Sequence, residues 1–217
     1  MEIDVMLGIL LSGFIFTMQI FFITLIGALP LGVVVAVLRM SSFKPLSWIA
    51  RVYISILRGT PLMLQLMALM FAPYYVFGLQ MGSEWKYWAC SIGFILNYSA
   101  YFGEIYRSGI QSIPRGQYEA ATVLGFSRSQ IFFRIVLPQV IKRILPAMGN
   151  EVITLLKDTS LAFVLGIMEM FSQAKAIAAS QVSMLPYVIA AGIYWVANMI
   201  IELAINRIEK ILSYYHD

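Results

Sequence analysis

The sequence predicts an all-α integral membrane protein with five transmembrane helices, N-terminus outside and C-terminus cytoplasmic. Three observations predict it. The 217 residues are 60% hydrophobic and 12% charged, with a mean hydropathy of +0.82, whereas soluble domains carry roughly 25% charged residues. Long uncharged runs recur at lengths that suit a bilayer. Twelve of the 15 lysines and arginines fall on alternate loops, which by the positive-inside rule marks those loops as cytoplasmic.

The first run has 34 uncharged positions between Asp4 and Arg39. It predicts a tilted helix over about 12–38, which Pro30 kinks rather than ends, because transmembrane helices tolerate proline. Ala28, Gly32 and Ala36 repeat at every fourth position, a small-residue stripe for close helix packing within one chain or at a subunit interface. The N-terminus carries Glu2 and Asp4 in place of a basic region, and the apolar run is too long for a signal peptide, so this segment is expected to stay as a helix.

A second span is expected over 59–80 and a third over 87–106. In the second, Thr60 as N-cap and Pro61 in the first turn read as a helix start. Residues 39–58, with Arg39, Lys44, Arg51 and Arg58, are expected as a cytoplasmic loop. The fourth span, 146–168, is interrupted by Glu151, Lys157 and Asp158, and the fifth is expected over 183–205. Trp48, Trp85 and Trp88 read as interface anchors. No repeat, low-complexity tract or linker divides the chain, so residues 1–217 are expected as a single membrane domain.

The residue inventory excludes several chemistries. There is no G-x-x-x-x-G-K-[ST] loop, so ATP is not expected to bind this chain through one. A single histidine, His216, and a single cysteine, Cys90, leave no metal or nucleophile constellation and no internal disulfide. Cys90 reads as a small apolar residue within a span.

Between the third and fourth spans lies a loop, 107–145, with a distinctive core: "GQYEAATVLGFSRSQIFFRIVLPQ" at 116–139. Pro114 opens a short helix. Glu119 is expected early in it, where the dipole favours an anion. Gly125 ends it with a positive φ. A second helix starts at once, with Ser127 and Gln130 as a capping box and Phe126 and Ile131 as a hydrophobic staple. Ile131, Phe132, Ile135 and Val136 form its apolar face, and Leu137-Pro138 is expected to bend or stop it. Two short helices joined by a glycine elbow suit a partner's groove or an interfacial position on the membrane.

Glu119-Ala120-Ala121, Gly125 and Ile135-Val136-Leu137-Pro138 match the "EAA…G…I-LP" loop of bacterial ABC importer permeases, with agreement in spacing throughout. "RGTPLMLQL" (58–66), "AYFGEIYRSGIQSIPRGQYEAA" (100–121) and "NEVITLLKDTSLAF" (150–163) resemble the polar amino acid permeases of the histidine/glutamine/arginine type, and the resemblance covers nearly the whole chain. It implies the type I ABC importer permease fold in a bacterial cytoplasmic (inner) membrane, crossed several times. It also implies that 116–139 is a coupling helix docked on an ABC ATPase subunit. The partners it implies are an ATPase dimer, a second copy of the permease or a paralogous one, and an external substrate-binding protein. Membrane lipid surrounds the chain and nucleic acid has no part. ATP and Mg would be bound by the ATPase and no cofactor by this chain, which is then a transport subunit and not an enzyme.

Polar residues inside spans are costly and face a cavity or one another. Asn97, Tyr98, Glu104, Glu151, Lys157, Asp158, Thr159 and Ser160 are such residues, and Asn97, Glu104, Asp158, Thr159 and Ser160 are taken as the candidates for a solute path. The run "KDTS" breaks the apolar pattern near mid-span, and a broken helix at that depth is a common way to build a site. Asp158 suits the ammonium of an amino acid. Glu104 either lines the path or pairs with Arg107 one turn away. The rival readings are an importer of the same type for another small solute, and an ATP-independent channel or secondary carrier.

Overall fold

The computed structural model describes residues 2–212, and His216 lies outside them. The described residues are all-helical, with no strand among them. Among the described residues nine α-helices follow in chain order. They are α1 (Ile3–Arg39), α2 (Lys44–Gly59), α3 (Leu62–Phe77), α4 (Trp85–Gln111), α5 (Arg115–Val123), α6 (Arg128–Gln130), α7 (Leu137–Asp158), α8 (Met170–Gln181) and α9 (Leu185–Leu212). A π-helical turn, Ile131–Val136, joins α6 to α7, and a 3-10 segment, Thr159–Leu165, continues α7.

By length and composition α1 and α9 can each cross a membrane, and α2 with α3 forms a third unit bent by 109°. α4 and α7, with 27 and 22 residues, have the length for a bilayer at 1.5 Å per residue. Their apolar character is diluted by Lys86, Glu104 and Arg107 in one and by Lys142, Arg143, Glu151, Lys157 and Asp158 in the other.

The core is built on α1 against α4. In lipid the hydrophobic effect does not draw helices together, so close van der Waals contact has to. A Cβ on Gly32 would stand 2.9 Å from Phe102 Cβ and 3.2 Å from the Gly103 backbone nitrogen. Two glycines thus let the backbones touch. Ala28 and Ala36 are buried on the same stripe, so the small-residue stripe packs within the chain. Phe94, Tyr98 and Phe102 of α4 fill the centre with Leu155, Leu156, Ala162 and Leu165. At the other end of α1, Met6 and Leu10 pack on Met170, Ala174 and Ile177 of α8 and Ala190 of α9.

Several expectations are corrected. Residues 44–59 are a helix and not a loop. The first helix begins at Ile3, well before 12. Thr60 does not cap α3: it follows α2 in an extended conformation, its hydroxyl donates back to Ile56 O (2.8 Å), and Pro61 takes the cap position of α3. Glu119 sits mid-helix in α5, outside the first turn. Leu137-Pro138 does not stop the helix: Pro138 lies in the first turn of α7, directly after the π-helical turn Ile131–Val136, and the chain stays helical through it. The fourth segment starts at Leu137 and changes to 3-10 geometry at Thr159, ending at Gly166 with φ 70°. Residues 170–181 form α8, which the sequence reading left unassigned.

Candidate functional site

Two features of the described residues stand out: the loop between α4 and α7, and a polar stripe that climbs α4 and α7.

The loop is rooted firmly. Arg143 Nη1 of α7 donates to Ser112 O at the end of α4 (2.6 Å). Ile113, Ala121, Ile131, Val136 and Val140 form a small apolar core of their own, with Phe126, Phe132 and Ile135 packed on it. The staple pair Phe126 and Ile131 therefore lies in one cluster. The capping box forms in both directions: Ser127 N donates to Gln130 Oε1 (2.8 Å) and Gln130 N to Ser127 Oγ (3.3 Å). Gly125 has φ 80°, and the Phe126 N–H reaches back to Ala121 O (3.1 Å), which closes α5 in the way a left-handed glycine allows. Of the motif residues, Ala121 is buried, Ile135 and Leu137 are half-buried, and Glu119, Ala120, Gly125 and Pro138 are exposed. At the tip Val123 and Leu124 are 88% and 75% exposed. A pre-formed helix end with bare apolar side chains is a shape for insertion into another surface.

The stripe starts at Asp158, the last residue of α7, whose Oδ2 accepts from Tyr98 OH (2.7 Å). Glu151 lies seven residues earlier on the same helix and so on the same face. It is within electrostatic reach of Asp158 and of Arg58. The Arg58 guanidinium stands 5.1 Å from the Tyr101 ring centroid, a cation–π distance. Glu104, one turn further along α4, receives Arg107 through both carboxylate oxygens, with Arg107 Nε at 3.0 Å from Oε2. Arg107 also donates to Gln111. Asp158 and Glu104 thus stand at two ends of one partly buried row. Arg58 and Tyr101 belong to the row without being path candidates in the sequence, where Arg58 reads as a loop cation at the start of "RGTPLMLQL".

The other three candidates lie elsewhere. Asn97 is buried and its Nδ2 donates to Leu57 O and to Gln65 Oε1, both at 2.9 Å. Gln65 Nε2 in turn donates to Leu57 O and Thr60 O (both 3.0 Å) and to Thr60 Oγ1 (2.8 Å). These two amides satisfy the carbonyls that α2 leaves open where the chain turns into α3. Asn97 is therefore committed to the corner. Asn97→Leu removes a buried donor from two acceptors and should cost about 1–3 kcal/mol, read as a lower melting temperature of the purified protein in detergent. An unchanged melting curve would show that the corner holds without it. Thr159 is fully buried and its hydroxyl donates to Leu156 O (2.6 Å). Ser160 lines a separate cavity of about 650 Å³ between the top of α7, α8 and α9, with Lys157, Phe171, Tyr187, Tyr194 and Asn198.

One buried acid escaped the sequence reading. Glu169 is 0% exposed and precedes α8. It accepts from Phe171 N and Ser172 N at 2.7 Å each and from Ser172 Oγ at 2.9 Å. It is a helix cap in which a glutamate does what aspartate or serine usually does. No group of three or more His, Cys, Asp or Glu side chains among the described residues could hold a metal ion.

Residues 28–214 match the family model of the binding-protein-dependent transport system inner membrane component. The chain belongs to this family. The matched range holds the corner, the stripe and the loop of this permease, and leaves residues 1–27 and 215–217 outside. Among curated relatives, the permease is 37% identical over 205 residues to the arginine transport system permease protein ArtQ of Bacillus subtilis (strain 168), covering 94% of this chain and 92% of that one. It is 35% identical over 209 residues to the L-cystine transport system permease protein TcyB of the same organism, covering 95% and 88%. Among solved structures, it superposes with a TM-score of 0.84 on the crystal structure of an amino acid ABC transporter with histidines, at 34% identity and 94% coverage of both chains. An inward-facing form of the MetNI methionine ABC transporter matches with a TM-score of 0.75 at 17% identity, covering 98% of this chain and 99% of that one, which is a likeness of fold.

Proposed function

We propose that this permease is the membrane subunit of an ATP-driven importer that takes up a polar or charged amino acid. The observation that carries the proposal is that relatives named for arginine and cystine transport align with more than nine-tenths of this chain at 35–37% identity. The chain crosses a bacterial cytoplasmic membrane five times, through α1, the bent α2–α3 unit, α4, α7 with its 3-10 continuation, and α9, with its N-terminus outside. The distribution of lysine and arginine supports that orientation. A substrate-binding protein delivers the amino acid from outside. The loop 116–139 seats its exposed tip on an ATPase subunit, which binds ATP and Mg and hydrolyses the nucleotide. Glu119, Ala120, Ala121, Gly125, Ile135, Leu137 and Pro138 shape that loop, Ala121 and Ile135 from its inner side. A second permease, identical or paralogous, completes the path.

The path follows the polar stripe. Asp158 takes the cationic group of the solute, and Tyr98 and Glu151 flank it. The Glu104–Arg107 pair lies toward the loop, where Arg107 competes with a passing cation for the Glu104 carboxylate. Thr159 and Ser160 act indirectly, through the 3-10 segment that holds Asp158 at its start. Two states, biased oppositely by nucleotide and by the loaded binding protein, are what the mechanism requires.

The test is reconstitution in liposomes with the ATPase, the paired permease and the binding protein. Uptake of labelled amino acid that needs ATP and the binding protein together is the expected result. Uptake that persists when the ATPase is left out would overturn the proposal in favour of a carrier.

A further inference from the structure

Charges inside a span pair with one another or face water, and the three carboxylates of the stripe do so unequally. Glu104 is held by Arg107 through both oxygens and has Arg39 within electrostatic reach. Asp158 accepts from Tyr98 and has Lys157 within reach. Glu151 is half-buried, yet it accepts no hydrogen bond and makes no ion pair among the described residues. The cation within its reach is Arg58, and its other charged neighbour is the like-charged Asp158. Arg58 mirrors this. Its side chain is exposed, with the guanidinium over the Tyr101 ring at 5.1 Å and donating to no acceptor among the described residues. A carboxylate without a donor and a guanidinium without an acceptor thus act on each other and do not touch.

The backbone that carries Arg58 is fixed. Tyr53 OH donates to Leu96 O (2.8 Å) and Asn97 Nδ2 to Leu57 O (2.9 Å), so the last turns of α2 are tied to α4. The side chain is held only by an aromatic face and a distant attraction, both weaker than the bidentate bond an arginine forms with a carboxylate it touches. Its surroundings are those of a cation site: Glu104 and Glu151 within reach and the face of a tyrosine. Such surroundings repel the carboxylate of a solute. Seven residues at 1.5 Å each set Glu151 and Asp158 roughly 10 Å apart along one face of α7. An amino acid with a cationic side chain has two positive ends for two such carboxylates. We infer that Arg58 is the chain's own stand-in for the second of those ends: in the empty permease its guanidinium fills the place facing Glu151, and the cationic side chain of a dibasic amino acid displaces it. A neutral amino acid has no second cation and leaves Arg58 where it is. The inference rests on the importer reading above, with Asp158 receiving the ammonium, and adds the solute class and the residue that selects for it.

The test uses the whole transporter in nanodiscs, without binding protein, titrated with tritium-labelled arginine or glutamine. Arg58→Gln and Arg58→Met remove the charge, and Arg58→Lys keeps it. A site freed of its internal occupant binds with its full affinity, so both neutral variants should bind arginine about five- to tenfold more tightly than wild type. Arginine binding that appears only in the neutral variants is the same result. Arg58→Lys should stay within about twofold of wild type, as should glutamine in all three variants. In a Glu151→Gln background, Arg58→Gln should lose most of its gain, because the two groups act on each other. Weaker binding of arginine and glutamine alike in the neutral variants would make Arg58 the receiver of the solute carboxylate and overturn the inference. An equal gain for glutamine, unchanged arginine binding, or no binding by wild type or any variant would overturn it as well. Uptake by the same transporter in liposomes, with ATP and binding protein supplied or left out, is measured alongside. Wild-type uptake that needs no ATP would sink the importer reading, while the titration still decides the role of Arg58.

Discussion

Gly125→Asp should leave the permease folded and uncouple it. Gly125 has nothing within 4 Å of where a Cβ would stand, and its φ is 80°. Asp is one of the few residues that enters the left-handed region without a large penalty, so the change costs only about 1 kcal/mol of local strain. The loop has its own apolar core, capping box and tie from Arg143 to Ser112, which keeps the short helices in place. What changes is the tip: a carboxylate stands beside Val123 and Leu124, where the ATPase is proposed to close around bare apolar side chains. Burying an unpaired charge in such a contact costs well over 2 kcal/mol, or more than about 30-fold in affinity. The measurement is co-purification of the ATPase with wild type, Gly125→Asp and Gly125→Asn. Wild type and the asparagine variant should retain the ATPase and the aspartate variant should lose it, with ATP-dependent uptake lost in parallel. Equal retention in all three would remove the tip from the dock.

The contrast between Gly125 and Asn97 shows where sequence reading succeeds. The loop's features are local: Ser127 and Gln130 are three residues apart, Phe126 and Ile131 five, and Gly125 follows directly on its helix. Capping boxes, staples and left-handed glycines are short-range devices, and their partners are visible in a string. The corner is not local. Asn97 meets Gln65 across 32 residues and Leu57 O across 40, and no periodicity announces that two amides on different helices will share the open carbonyls of a third. An asparagine inside an apolar helix reads as a path residue in the sequence, and its bonds to the α2–α3 corner are visible only in the fold. α2 was hidden for another reason. Freedom from charge marks a span, and α2 carries Lys44, Arg51 and Arg58 on an amphipathic helix, so its charges disguise it as a loop. α8 was missed because its N-cap is a glutamate, which the usual start signals omit. In the sequence Asp158 and Glu104 read as carboxylates within expected spans, but their place on one stripe with Tyr98, Tyr101 and Arg58 depends on how α2, α4 and α7 pack.

Asp158 carries the sharpest conflict between a structural and a transport role, and two substitutions separate them. Tyr98 is 2% exposed and donates its hydroxyl to Asp158. Asp158→Ala leaves that hydroxyl without its acceptor, a loss of about 1–3 kcal/mol in stability. Asp158→Asn keeps an oxygen acceptor for Tyr98 and removes only the charge. If the carboxylate serves Tyr98 alone, the alanine variant melts lower and the asparagine variant restores both melting temperature and uptake. If it receives the cationic group of the amino acid, asparagine restores the melting temperature but not the uptake. A charge-assisted hydrogen bond is worth about 1.5–3 kcal/mol, so KM for binding-protein-delivered uptake should rise roughly 10- to 100-fold in Asp158→Asn. Tyr98→Phe sets the control, because it removes the tyrosine's hydrogen bond while sparing the carboxylate. It should alter uptake far less than Asp158→Asn does. Uptake at wild-type KM in Asp158→Asn would take Asp158 off the path and leave it as the partner of Tyr98. Glu151 and Arg58 would then be the next charged groups on the stripe able to meet a charged solute.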